Sequence, residues 1–429
     1  MVETSSYFSD FTDFITASPS SYHAASEVGR RLTAAGFTQL QETDDWQAPA
    51  KAFIIRDGAI VAWLTPDTVP ATAPVRVVGT HTDSPGFKLK PKPSTGSHGW
   101  LQVGVEIYGG PLLNSWLDRE LELAGRLVTT DGTCHLVRTG PMFRIPQLAI
   151  HLDREANNGL KLDKQRQTAP VYGVGDSASG DVVGDLAKIA GVESSDVAGY
   201  DIITVDTQEP RRFGLDGQFF ASPRMDNLSS TYAGLVALLQ AAAEFDAGLT
   251  SPDHILVLAA FDHEEIGSET RSGACGPILE DVLNRIYDGL GATREEQARA
   301  MAASWCISSD TGHSIHPNYG ERHDPAVQPL AGSGPLLKIN ANQRYATDAT
   351  GAALWVRACK AAGIATQDFV SNNNSPCGST IGPLTATRLG IRTVDVGIPL
   401  MSMHSAREML HVDDQVGLTK ALAAFYAGA

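Results

Sequence analysis

Four consecutive polar residues, Asp262-His263-Glu264-Glu265, follow directly on the apolar run ILVLAAF (255–261). A carboxylate buried at the end of such a run is costly unless something opposite offsets its charge. Other parts of the chain offer candidates by residue type: His81 and Asp83 in GTHTDSPG, Asp226 in SPRMDNLSS, Asp310 closing WCISSD, and His404 in MSMHSAREM. Two imidazoles and several carboxylates without a thiolate suit Zn²⁺, Mn²⁺ or Co²⁺. In open α/β sheets ligands gather beyond the carboxyl ends of the strands, and most of these residues fall at such ends. Each also has an ordinary reading: H-x-D as a surface turn, Glu-Glu as a solvated loop, Asp226 as a helix cap, His404 as a satisfied loop histidine. Spacing alone does not bring them together, so these residues by themselves leave a metal site and a scatter of unrelated groups both open.

Positioning them requires a scaffold, and the apolar patterning predicts one. SSYHAASEVGRRLTAAGF has the spacing and closing glycine of an amphipathic helix, after a polar start. KAFIIRDGAIVAWLT reads as a hairpin turning at Asp57-Gly58, and PVRVVGTHTDSPG as a strand stopping at Thr80-His81. From about 91 to 210 glycine and proline punctuate short strand candidates, predicting an inserted, mainly β domain between catalytic segments 1–90 and 211–429. Helices and strands alternate again from LSSTYAGLVALLQAAAEF to the closing DDQVGLTKALAAFYAG, whose cap is expected at Asp413 or Asp414. Near-continuous apolar strands between helices predict an α/β fold with a mostly parallel sheet covered on both faces. YGVGDSASGDVVG lacks the strand-loop-helix context of a phosphate cradle and reads as a flexible loop.

Composition narrows the function. The 429 residues suggest two or three domains at roughly 100–200 residues each. A net charge of −16, with no long basic patch, argues against nucleic acid and anionic membrane and favours a small-molecule or peptide substrate. Five scattered cysteines without C-x-x-C predict neither disulfides nor a thiolate zinc site. MVETSSYFSDFTDF carries acids where a secretory signal carries lysine or arginine, and no apolar run approaches the ~18 residues of a membrane span. The expectation is a soluble cytoplasmic protein.

Six ordered stretches, GTHTDSPGFKLKP, SPRMDNLSS, FDHEEIGSETRSG, SSDTGHSIHPNY, NNNSPCGSTIGP and MSMHSAREM, resemble the motifs of M18 metallopeptidases, the aspartyl aminopeptidases. The resemblance also takes in LNSWLDRELELAGRL and LAIHLDR. It implies an α/β catalytic domain of the dizinc exopeptidase type, an inserted dimerisation domain and a tetrahedral homododecamer. It makes Asp226 the carboxylate bridging two zinc ions, with His81 and Asp310 completing one ion's ligands and Glu265 and His404 the other's. Manganese or cobalt are alternative metals. Glu264 becomes the general base and later acid, and Asp83 holds His81 in place. Lys338 and Arg344, in PLLKINANQRYATD, would face an acidic first residue of a peptide with a free N-terminus. His151 resembles a histidine sent into a neighbouring subunit's active site; His313 and His316 are candidates for the pocket lining, and His263 sits behind the ligands. Competing expectations are a family member preferring neutral or apolar first residues, a related dizinc carboxypeptidase or deacylase, and a non-catalytic shell.

Overall fold

The computed structural model describes residues 4–46, 49–66 and 69–429. A nine-stranded mixed sheet runs through its centre. Strands Ile255–Phe261, Val75–His81, Trp305–Ser309 and Arg392–Gly397 lie side by side and parallel. The hairpin Lys51–Arg56 and Ala59–Leu64 turns at Asp57-Gly58 and pairs antiparallel on one side; Leu336–Lys338 pairs antiparallel on the other. Thr38–Gln39 and Gln367–Phe369 add a parallel pairing at each edge, so the sheet is mostly parallel, as expected. All of Ile255–Phe261 is buried, because Met225–Asp246, Val412–Tyr426 and Ala349–Ala362 pack on one face and Ile278–Gly289 on the other.

Parallel strands end on the same side, and this places the chemistry. His81 is the last residue of one central strand and pairs with Phe261 of the next, so Asp262 and its followers emerge beside it. Asp310 follows the third strand. A five-stranded sheet is ordered Arg211–Phe213, Phe219–Ser222, Glu408–His411, Pro399–Met401 and Gly312–His313, the last beginning two residues after Asp310.

Between Gly86 and Asp206 the chain forms a separate six-stranded sheet whose pairings are all antiparallel. Phe87, Val103, Leu123, Leu127 and Ile202 make its own core, covered by the helix Val182–Ala190. That helix begins inside the glycine-rich stretch expected to be a loop. Asp181 caps it by accepting from the Gly184 amide, Val182, Leu186 and Ala187 are buried, and Gly191 at φ 71° closes its carboxyl end.

Two further expectations change. The start of the chain is not merely polar: Thr4–Ala17 is a helix burying Tyr7, Phe8, Phe11, Phe14 and Ile15. Phe11 stacks between Phe220 at 5.4 Å and Tyr232 at 4.8 Å, and each such ring contributes roughly 1.5–3 kcal/mol by leaving water. The cap of Val412–Tyr426 is His411, whose ring accepts from the Asp413 amide. Asp414 is buried in the first turn and accepts from the amides of Gly332 and Gly334 at 2.7 and 2.8 Å. Among the described residues no helix is long and apolar enough to cross a membrane.

Candidate metal centre

The five residues that the resemblance implies as ligands, His81, Asp226, Glu265, Asp310 and His404, meet at the carboxyl edge of the central sheet. Asp226 is shared. Its Oδ1 lies 3.3 Å from His81 Nε2, which is also 3.5 Å from Asp310 Oδ1; its Oδ2 lies 3.4 Å from His404 Nε2, which is 3.2 Å from Glu265 Oε2. The donors thus form two trios joined at one carboxylate, with every ligand atom in a trio within 4.8 Å of the others. His81, Glu264 and Glu265 meet the same limit.

This donor set fits divalent metal. Two atoms each about 2.0–2.2 Å from a tetrahedral ion stand roughly 3.4 Å apart, which matches the four separations above. Buried His81 Nε2 and Glu265 Oε1 have no hydrogen-bond partner within the protein. An unsatisfied buried polar atom costs about 1–3 kcal/mol, so a positive group between them is what the arrangement lacks.

Local backbone sets each orientation. His263 at φ 64° and Gly267 at φ 97° bracket the tight turn Glu264–Ile266. The turn directs neighbouring glutamates apart: Glu264 Oε2 lies 3.9 Å from His81 Nε2, whereas Glu265 reaches His404. Asp83 holds the turn by accepting the Glu264 and Glu265 amides at 3.0 and 3.2 Å and the Tyr108 hydroxyl at 2.8 Å. His81 Nδ1 lies 3.1 Å from the Asp83 carbonyl and 3.4 Å from its carboxylate, which fixes the ring with Nε2 toward the cluster. His404 Nδ1 meets the Gly110 carbonyl at 3.1 Å. Gly109, at φ 67°, lets this segment pass against Glu265; a Cβ there would sit 3.2 Å from the Glu265 Cβ.

Electrostatics respond to the crowding of acids. Burial, reinforced by Asp310 and Asp226, pushes Glu264 up to about 8 despite the opposing His81. Burial and Asp226 push Glu265 well above the usual carboxylate range. Burial would lower His404, but hydrogen bonding to Asp226 and its charge raise it to about 9. Protons are held where cations would otherwise neutralise the site.

Glu408 went unassigned in the sequence reading although it lies in MSMHSAREM. It is 2% exposed, and its two oxygens accept the amides of His404 at 2.8 Å and Asp226 at 2.9 Å. One carboxylate thereby ties together the backbones of two candidate ligands 178 positions apart in sequence (404 − 226). Burial and Asp226 push it up to about 8. Tyr108 was hidden as an ordinary strand residue of the inserted sheet. A short-range pattern could reveal neither role, because the partners are remote in sequence.

A cavity of about 650 Å³ opens onto the cluster, lined by Glu264, Asp310, His313, Lys338, Arg344 and Tyr345 among others. Lys338 is 1% exposed, its Nζ 3.5 Å from Asp310 Oδ2 and 5.1 Å from the Tyr345 ring centre; Arg344 is exposed. His263 is half-buried, its Nδ1 2.9 Å from Thr270 Oγ1 and its Nε2 3.6 Å from Asp262 Oδ2. His151 is not brought to the cavity of its own chain and lies on an exposed turn of the inserted region.

A family model described as Aminopeptidase I zinc metalloprotease (M18) matches residues 14–426. A Streptomyces avermitilis protein named probable M18 family aminopeptidase 2 is 51% identical, covering 98% of this chain and 97% of its own. A chain of the cryo-EM structure of the Ape4 and Nbr1 complex superposes with a TM-score of 0.93 at 34% identity, covering 99% of this chain and 86% of its own. The S. cerevisiae mApe1 dodecamer gives 0.85 at 30% identity, covering 98% and 96%.

Proposed function

Because the chain belongs to the M18 family of zinc metallopeptidases, aminopeptidases by activity, we propose that it removes N-terminal residues, preferentially Asp or Glu, with two divalent ions per subunit. The observation that carries this reading is the single carboxylate of Asp226 serving two histidine-containing trios. His81, Asp226 and Asp310 would hold one ion, and Asp226, Glu265 and His404 the other, zinc being the foremost candidate and manganese or cobalt alternatives. When bound, the ions supply Lewis acidity toward the attacking water and the scissile carbonyl.

Glu264 lines the cavity yet is only 15% exposed at its side chain, so it can take a proton from water and keep it from solvent. It then delivers that proton to the leaving amine, which breaks the C–N bond. Asp83 keeps Glu264 in position through the backbone rather than touching substrate. The carboxylates of the cluster suit the substrate's terminal ammonium, which favours release of one residue at a time.

Lys338 and Arg344 supply positive charge for an acidic first side chain, with His313 beside them. A second reading, preference for a neutral first residue, is favoured by the proximity of Lys338 to Asp310, which already engages part of its charge. A panel of Asp, Glu, Leu and Ala amides, assayed after chelation and after return of Zn²⁺, Mn²⁺ or Co²⁺, separates the two. Loss of turnover on chelation and faster release of Asp and Glu are expected; turnover that survives complete metal removal would defeat the proposal.

We further assign the inserted region 91–210 to self-association and His151 to a neighbouring copy's cavity, within a tetrahedral dodecamer. The similarity to the yeast mApe1 dodecamer and the exposed apolar side chains of the region, Leu152 at 75% and Val174 at 71%, support this. Free cysteines at 134, 275, 306, 359 and 377 are compatible with a cytoplasmic setting.

A further inference from the structure

A recess of about 380 Å³ opens off the catalytic cavity, sharing His313, Tyr345 and Gly378 with its wall. Its size falls within the roughly 300–1,000 Å³ of small-ligand pockets. The two spaces differ in charge. Asp226, Glu264, Glu265 and Asp310 line the first together with the basic Lys338 and Arg344, whereas among the described residues lining the recess none is Asp or Glu.

The recess instead presents donors. His323 Nε2 accepts the His316 amide at 3.1 Å, and His316 Nδ1 accepts the Asn318 amide at 3.2 Å. A ring nitrogen that accepts carries no proton, so each imidazole keeps an N–H on its other nitrogen. The Arg322 guanidinium adds a positive charge, its nearest carboxylate being Glu321 at 3.7 Å, an exposed pair that screens it weakly. Phe369 and Leu400, both buried, give the recess an apolar floor.

A short peptide has the matching polarity. Its ammonium is drawn to the carboxylates of the catalytic cavity, and a negative charge beyond the scissile bond meets in the recess Arg322 and imidazole N–H groups with no Asp or Glu to repel it. We propose that the recess is a subsite for a carboxylate on the leaving side of the scissile bond, supplied either by the C-terminus of a dipeptide or by an acidic second residue. This rests on the aminopeptidase reading above and adds to it a preference for the product side.

The test uses the metal-loaded protein and a fixed first residue X, the better of Asp and Leu, in X-Ala, X-Ala-NH₂ and X-Asp-NH₂. At least one carboxylate-bearing substrate is expected to exceed X-Ala-NH₂ in kcat/KM by about tenfold, chiefly through KM, as a charged hydrogen bond allows. An advantage of X-Ala identifies the C-terminus as the source, and one of X-Asp-NH₂ the side chain. Arg322→Gln should cut that advantage about two- to fivefold and His316→Ala should remove most of it, with the Asp-to-Leu preference at the first position retained. Equal turnover of all three substrates would overturn the subsite, as would an advantage that survives both substitutions. Substitutions that alter the first-residue preference instead would assign the recess to that side chain and overturn it too. No hydrolysis of any of the three with Zn²⁺, Mn²⁺ or Co²⁺ would remove the aminopeptidase reading itself, and the subsite with it.

Discussion

The two large sheets leave different things unfinished. In the central sheet the strand Ile255–Phe261 is buried at every residue, and several of the buried polar groups left unsatisfied, His81 Nε2 and Glu265 Oε1 among them, lie together at its carboxyl edge. In the inserted sheet one face packs on Phe87, Leu123 and Leu127, while around it Trp100 remains 49% exposed, Leu152 75% and Val174 71%. The first deficit is polar and concentrated; the second is apolar and spread out. Positive charge answers the first and another protein surface the second, because unpaired donors and acceptors are costly singly whereas apolar area acts in bulk.

Breaking the polar deficit should have the largest effect. Asp226→Ala removes the carboxylate common to both trios, and activity is expected to fall by at least about 10³-fold along with bound metal, measured by elemental analysis and amide hydrolysis. Glu264→Gln separates base from ligand: kcat should drop by about 10²–10⁴ with the metal content unchanged. Loss of metal in this variant would show that Glu264 ligates instead. Glu408→Gln replaces one acceptor of the His404–Asp226 staple with an amide, so metal affinity measured against a competing chelator should weaken by about 10–100-fold.

The apolar deficit is tested by size rather than rate. Leu152→Asp with Val174→Asp should shift the particle to smaller species in analytical ultracentrifugation while the far-ultraviolet dichroism of the chain is retained. An unchanged particle would break the contrast between the sheets. The smallest effect on turnover and particle size is expected away from both, where the readout is stability. Asp414 is pushed up to about 7 by burial, against the pull of the Gly332 and Gly334 amides. Its folded form therefore holds a proton that the unfolded chain releases near 3.8, so the wild type should lose stability relative to Asp414→Asn as pH rises from about 4 to about 7. Thermal melts across that window check the sign.

Much of this was legible in one dimension, and unevenly. The hairpin at Asp57-Gly58 and the central strands announce themselves through turn residues and apolar runs, which are local signals. The helix Thr4–Ala17 was missed because Asp10 and Asp13 dilute its stripe of Tyr7, Phe8, Phe11 and Phe14, whose meaning depends on Phe220 and Tyr232 across the core. The cap of the last helix was misplaced by two or three residues because His411 does there what Asp413 or Asp414 could equally have done. Asp83 was expected to hold His81, but its carboxylate also fixes the Glu264–Glu265 turn, a contact across 181 positions in sequence.

By itself the sequence determined which chemistry was possible: residue types set the donor set as imidazole and carboxylate, and apolar periodicity set strands that must end near those residues. Only the tertiary structure decided that the donors stand at ion-sized separations, that Asp226 faces both ways and that Glu408 staples two ligand backbones. The reason is range. Patterning is fixed by neighbours a few residues apart, whereas the distance between His81 and Asp310, or His404 and Glu265, depends on how whole strands and helices pack.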